Sequence, residues 1–124
     1  MINGTRKTIG NQAEAATSRF LQSQGLLILE EQYHGPHGEV DLIARDGEYT
    51  VFVEVRYRKS VTFGTPSETI SVQKQRRLIA TAQRYLQHNR DAAKRPSRFD
   101  VVAVTPAEHS GLNFNWIQNA FETI

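Results

Sequence analysis

At 124 residues the chain is the size of one domain, long enough to bury a single core and too short for two. A hydrophobic share of 39% and a charged share of 23% are ordinary for a globular protein. The absence of cysteine excludes disulfides and thiolate metal sites, and no apolar run approaches the roughly 18 residues of a membrane span. The opening residues, MINGTRKTIGNQ, lack the apolar core of a secretory signal, so a cytoplasmic protein is expected. The net charge of +2 conceals a division. Residues 1–55 carry four Lys or Arg against eight Asp or Glu, residues 56–98 carry eleven against two, and residues 99–124 carry none against three. A basic block beside an acidic one suits a protein that grips phosphate on one side and holds cations on the other, although a solvated basic helix gives the same composition.

One domain is expected over residues 1–124, with residues 1–9 flexible. A helix is predicted over residues 10–25 (GNQAEAATSRFLQSQG), with Ala13, Ala16, Phe20 and Gln24 at helical spacing and Gly25 as its stop. LLILEEQY reads as a strand and HGPHG as a loop. EVDLIARD and EYTVFVEVRYR follow as strands joined at Asp46-Gly47, a strong hairpin signal between alternating apolar runs. SVTFGTPSE reads as a loop. Ser71 can cap a helix through VQKQRRLIATAQRYLQH, burying Leu78, Ile79, Ala82, Tyr85 and Leu86. FDVVAVT is an apolar strand, and LNFNWIQNAFETI offers another short strand with room for a last helical turn. The order predicts a mixed α/β sheet with helices on its faces.

The hairpin carries the chemistry. Residues two apart on a strand share a face, so Glu39, Asp41 and Ile43 lie together, opposite Val40, Leu42 and Ala44, while Thr50, Phe52, Glu54, Arg56 and Arg58 align on the next strand. A two-residue loop at Asp46-Gly47 would set Asp41 across from Phe52 and Glu39 across from Glu54. Carboxylates interrupting apolar strands cost several kcal/mol if buried unpaired, and two side by side repel. A divalent cation resolves both problems, and Mg²⁺ suits one or two carboxylates completed by water and a phosphate oxygen. Ordinary ion pairs, such as Glu54 with Arg45 or Arg56, are the competing explanation.

GEVDLIARDGEYTVFVEVRYR, with its Asp followed across a hairpin by Glu-Val-Arg, resembles the Asp…Glu-x-Lys motif of the PD-(D/E)xK nucleases. Nearly the whole chain, from Gly10 to Phe121, is similar to the YraN-type bacterial family, itself akin to archaeal Holliday-junction resolvases. The blocks that carry the likeness are GNQAEA, GEVDLI, FVEVRYR, QKQRRL and RFDVV, in that order. The resemblance implies a restriction-endonuclease-like fold, with an N-terminal helix and a second helix after the central hairpin. It also implies Asp41 and Glu54 as metal ligands and catalytic residues, with Glu14 as a further ligand or water-orienting group. A Glu in the first turn of a helix also simply complements the helix dipole.

Where the nuclease motif has Lys, this chain has Arg56. A guanidinium can clamp phosphate but stays charged, which makes it a poor general base. Lys74, or its neighbour Gln73, is the candidate replacement if the second helix begins near the site. Lys74, Arg77, Thr81 and Arg84 form one polar stripe on that helix. Together with Arg58 and Lys59 on the strand, and Lys94, Arg95 and Arg98 beyond the helix, they make a surface for phosphate without a base-reading signature. Tyr57 and Tyr85 read as core or base-stacking residues, and His34 and His37 flank the loop before Asp41. The expected function is a nucleic-acid-binding protein and Mg²⁺- or Mn²⁺-dependent endonuclease, hydrolysing DNA that is branched or damaged. A nuclease-fold module that binds DNA or RNA without cleaving it, and a protein-interaction scaffold, are the alternatives. The resolvase resemblance raises a two-fold homodimer.

Overall fold

The alternating apolar stretches become five strands paired in chain order. A computed structural model describes residues 4–59 and 70–121. Its elements are α1 (Arg6–Ser23), β1 (Leu27–Gly35), β2 (Gly38–Asp46), β3 (Tyr49–Tyr57), α2 (Val72–His88), α3 (Arg90–Ala93), β4 (Ser97–Pro106) and β5 (Leu112–Phe121). The loop expected over residues 60–68 and the end of the chain at 122–124 lie outside the described residues. The sheet has the order β1-β2-β3-β4-β5; β3 and β4 are parallel and the other neighbours antiparallel. That one parallel pair follows from the crossover through α2, which carries the chain back to start β4 in the direction of β3.

α1 covers one face, where Phe20 and Leu21 meet Leu42, Ala44, Val51, Val53, Val102 and Val104. α2 and α3 cover the other, where Leu78, Ala82, Tyr85 and Ala92 pack on Ile43, Phe52, Phe99 and Val101. Each fully buried Val, Leu, Ile or Phe among them contributes about 1.5–3 kcal/mol. The mixed α/β architecture, with its N-terminal helix and a helix after the central hairpin, is therefore present as expected.

Several local expectations are corrected. α1 starts at Arg6, capped by the Thr5 hydroxyl, so residues 6–9 are helical and Glu14 sits well inside the helix rather than in its first turn. Its buried stripe is Ala13, Thr17, Ser18 and Leu21 rather than the Ala13–Ala16–Phe20–Gln24 series. HGPHG is a two-residue hairpin turn, because Gly35 pairs with Gly38. The central turn is Gly47-Glu48, since pairing runs out to Asp46 and Tyr49; Gly47 has φ +58°, a left-handed conformation that glycine adopts without strain. The register consequently shifts by two residues and sets Phe52 against Ile43 instead of Asp41. A shift of two keeps the side-chain parity.

α2 agrees with its expected limits, and Ser71 accepts from the Lys74 amide as its N-cap. Thr81, however, is buried and bonds back to the Arg77 carbonyl, so it leaves the polar stripe. Arg98 also leaves the basic surface: it pairs with Asp46 and Asp100 at 2.7 and 3.0 Å and lies over the Tyr49 ring. Asp100 is only 1% exposed and accepts from Arg98, the Trp116 indole and the Asn119 amide. The last donor comes from a β5 irregularity where Asn119 has φ +52°. This carboxylate holds the β4–β5 edge together.

Candidate functional site

Glu14, Glu39, Asp41, Glu54, Val55, Lys74 and Arg77 line one open cavity of about 330 Å³. It forms where β2 and β3 part. Their pairing ends at Leu42 and Val53, and the Val55 amide, which would serve the next stretch of ladder, donates instead to Asp41 Oδ2 at 2.8 Å. The disruption is visible in the core as well. Val40 joins the α2-side cluster, whereas Leu42 and Ala44 belong to the α1 side, so the strand's alternation breaks at Asp41. On β1, Gln32 lies across from this position between the Glu31–Leu42 and Tyr33–Val40 pairs, with φ +51°. Its amide nitrogen donates to Glu14 Oε1 at 3.0 Å and to Asn11.

The site thus draws Glu14 from α1, Asp41 from β2, Glu54 from β3 and Lys74 from α2. Asp41 and Glu54 are buried, at 8% and 6% exposure. Asp41 is pushed up to about 9, first by burial, then by the charge of Glu54; the Val55 amide opposes the shift, while Glu14 adds to it. Glu14 is also raised, by burial and then, against the pull of Gln32, by the charges of Glu39 and Glu54. Without a cation, Asp41 therefore favours its protonated form at neutral pH. Lys74 Nζ meets Glu54 Oε2 at 2.5 Å, with the lysine side chain 45% exposed. This ammonium, from a helix twenty residues on, is an ionic partner of Glu54.

The structure sorts the remaining expected residues. Arg56 is half-buried and pairs with Ala103 in the sheet; it does not line the cavity. Arg77 does, close to the hairpin at Gly38, while Arg84 packs its stem near Gly35. Gln73, Arg58 and Lys59 are exposed outside the cavity. His34 and His37 do not line it either, and Glu39 pairs across β1–β2 with His34 rather than facing Glu54. Tyr85 is buried between the Tyr33 and Phe52 rings, and Tyr57 packs against the α1-side core. Gln32 and the Val55 amide escaped the sequence reading, because a strand irregularity leaves no periodic trace. Among the described residues, no three His, Asp or Glu side chains form a ready-made cluster for a metal ion. None of the described helices is long and apolar enough to cross a membrane.

A solved structure, that of Pyrococcus furiosus SfsA in complex with Ca²⁺, overlaps 88% of this chain at a TM-score of 0.42 and 14% identity. This chain spans 62% of that protein, and the likeness is too slight to inform fold or chemistry. Sequence relatives are far nearer. A UPF0102 protein of Pseudomonas syringae pv. syringae is 41% identical over 99% of this chain and 100% of its own length. One from Nitrosococcus oceani is 44% identical over 98% and 97%, and one from Stutzerimonas stutzeri 46% over 92% and 94%. The family model described as "Uncharacterised protein family UPF0102" matches residues 13–104, a span that includes Glu14, Asp41, Glu54 and Lys74. The chain belongs to the UPF0102 family, the YraN-type group that its sequence blocks resemble.

Proposed function

We propose that this protein is a cytoplasmic, nucleic-acid-binding endonuclease that hydrolyses DNA phosphodiester bonds with a divalent cation, Mg²⁺ or Mn²⁺. The observation that carries this reading is the buried Asp41–Glu54 pair at the split between β2 and β3, with Lys74 delivered to it from another element. Buried carboxylates brought side by side are unfavourable unless cations or a ligand complete them. Their hard oxygen donors fit Mg²⁺, which commonly takes one or two carboxylates and fills its other positions with water and phosphate. When bound, the cation would polarise a phosphate oxygen and acidify an attacking water.

The chain's own groups have separable roles in this proposal. Asp41, oriented by the Val55 amide, and Glu54 hold the cation, and Glu14, steadied by Gln32, orients water from the α1 side. With a cation held by Asp41 and Glu54, Lys74 would neutralise charge at the scissile phosphate, or would accept the water's proton once its ammonium had given its own to solvent, work that a permanently charged Arg56 does poorly. Arg77 extends the phosphate contact along α2.

The test incubates purified protein with labelled duplex, single-stranded, flap and four-way-junction DNA in Mg²⁺, Mn²⁺ or EDTA, beside Asp41→Ala and Glu54→Ala. Metal-dependent cuts lost in both variants support the reading. Salt-sensitive binding without cuts leaves the non-cleaving module, which the Lys74–Glu54 pair favours because an ammonium already balances the glutamate. Light scattering on the same samples checks the two-fold dimer implied by the resolvase resemblance.

A further inference from the structure

The end of α2 remote from the carboxylates borders a second hollow, of about 500 Å³. Its walls include Arg45 at the end of β2, His88 at the end of α2, Arg90 in α3 and Arg95 before β4. Three guanidiniums from separate elements meet around one concavity, although they are far apart in sequence. Among the described residues, none of the three forms a salt bridge with a carboxylate. Asp91, the single acid in the lining, points to solvent at 93% exposure and approaches Lys94 at 3.8 Å. Two of the arginines are held in place: Arg95 Nε donates to the buried Thr50 hydroxyl at 3.2 Å, and Arg45 Nε donates to the Gly47 carbonyl at 3.0 Å. The guanidinium nitrogens left over are donors suited to phosphate oxygens.

We propose that this hollow is a second phosphate-contact site for the nucleic-acid backbone, joined to the carboxylate cavity by the basic stripe of α2. The stripe begins with Lys74 and Arg77 in the cavity, passes Arg84, and ends at His88, whose Nδ1 bonds the Arg84 carbonyl at 2.8 Å. From Lys74 to His88 the helical rise amounts to about 21 Å, roughly six base-pair steps at about 3.4 Å each. A small anion would use one end of this track; a polymer with regularly spaced charges uses both. The inference rests on the nucleic-acid reading above and adds where the strand runs and how long it must be. Such contacts position the backbone without reading its sequence.

The experiment uses the full chain and the variant Arg45→Ala/Arg90→Ala, both exposed positions whose removal leaves Arg95 and Thr50 intact. Fluorescence anisotropy with 6- and 20-base-pair duplexes in EDTA is read across a salt series, with thermal melts confirming the fold. The wild type is expected to gain affinity strongly between the two lengths. The variant should lose most of that gain, bind the longer duplex roughly tenfold more weakly, and show a salt slope smaller by about two. An unchanged affinity and slope for the longer duplex would overturn the second site while leaving the first reading intact. No duplex binding by the wild type would sink both. If inorganic phosphate shifts amide resonances around the hollow while duplex binding stays indifferent to the variant, the site serves a free anion and the proposal is wrong.

Discussion

Replacing Asp41 with asparagine is expected to stabilise the cation-free protein at neutral pH while abolishing cleavage. Asparagine keeps the oxygen that accepts from the Val55 amide and presents a neutral NH₂ toward Glu54 and Glu14. The linkage has a definite sign. A carboxyl whose folded value stands near 9 against an ordinary 3.8 binds a proton on folding, so stability is fully present below about pH 4 and falls as pH rises toward 9. At pH 7 the cost relative to a neutral isostere has a ceiling of roughly 4 kcal/mol, from about 1.4 kcal/mol for each pH unit above the unfolded value. Water reaching the open cavity, and protons shared with Glu14 and Glu54, reduce this to about 1–3 kcal/mol. For a chain of this size that corresponds to a Tm rise of roughly 4–12 °C. Scanning calorimetry in EDTA at pH 4 and pH 7 measures it. The difference should be large at pH 7 and nearly vanish at pH 4. A destabilised variant at neutral pH, or a gap that persists on acidification, would refute the account of a strained carboxylate. Adding Mg²⁺ should raise the Tm of the wild type and leave Asp41→Asn unmoved, because metal replaces the proton only where a carboxylate can ionise.

Lys74→Ala should reduce cleavage by about 10²–10⁴-fold, whereas Arg56→Ala should cost less; single-turnover rates on one substrate decide between them, and the reverse ranking would return the catalytic role to Arg56. Lys74→Arg preserves the pair with Glu54 and should melt like the wild type, yet it should recover little activity if proton transfer is the lysine's task. Ser71→Ala removes the cap that fixes the Lys74 amide and should cost about 1 kcal/mol by urea denaturation, with a parallel loss of activity. Asp100→Ala leaves Arg98 with Asp46 as its remaining carboxylate partner and the Trp116 and Asn119 donors without their acceptor. It should cost about 3–5 kcal/mol in the same assay, and an effect under 1 kcal/mol would contradict the structural role given to that carboxylate.

Some of this molecule was legible in the chain itself because the information is local. Period-two alternation identified β2 and β3, a continuous apolar run identified β4, and the helical period with a serine cap located α2 at Val72–His88. Parity placed Asp41 and Glu54 on one side of the sheet with Glu39 across from Glu54, whereas the structure shifts the register by two and breaks the alternation at Asp41. The family was recognisable from five ordered blocks of residues. Charge sorted by segment also indicated which stretch is basic, although it could not distinguish a cation that faces solvent from one that is spent inside.

Tertiary structure decided the rest, for reasons that are not local. Arg98 reads as one more basic residue, yet it is consumed by Asp46 and Asp100 from two strands. α1 began four residues earlier than its apolar stripe implied, because a capped helix extends as long as no residue stops it. Only the packing of α2 against the sheet could bring Lys74 to Glu54, twenty positions away. Only the separation of β2 from β3 could hand the Val55 amide to Asp41. By itself the sequence determined which side chains were available and which elements carried them. Which of those groups meet depends on where strands part and helices dock, and those are properties of the whole packed chain.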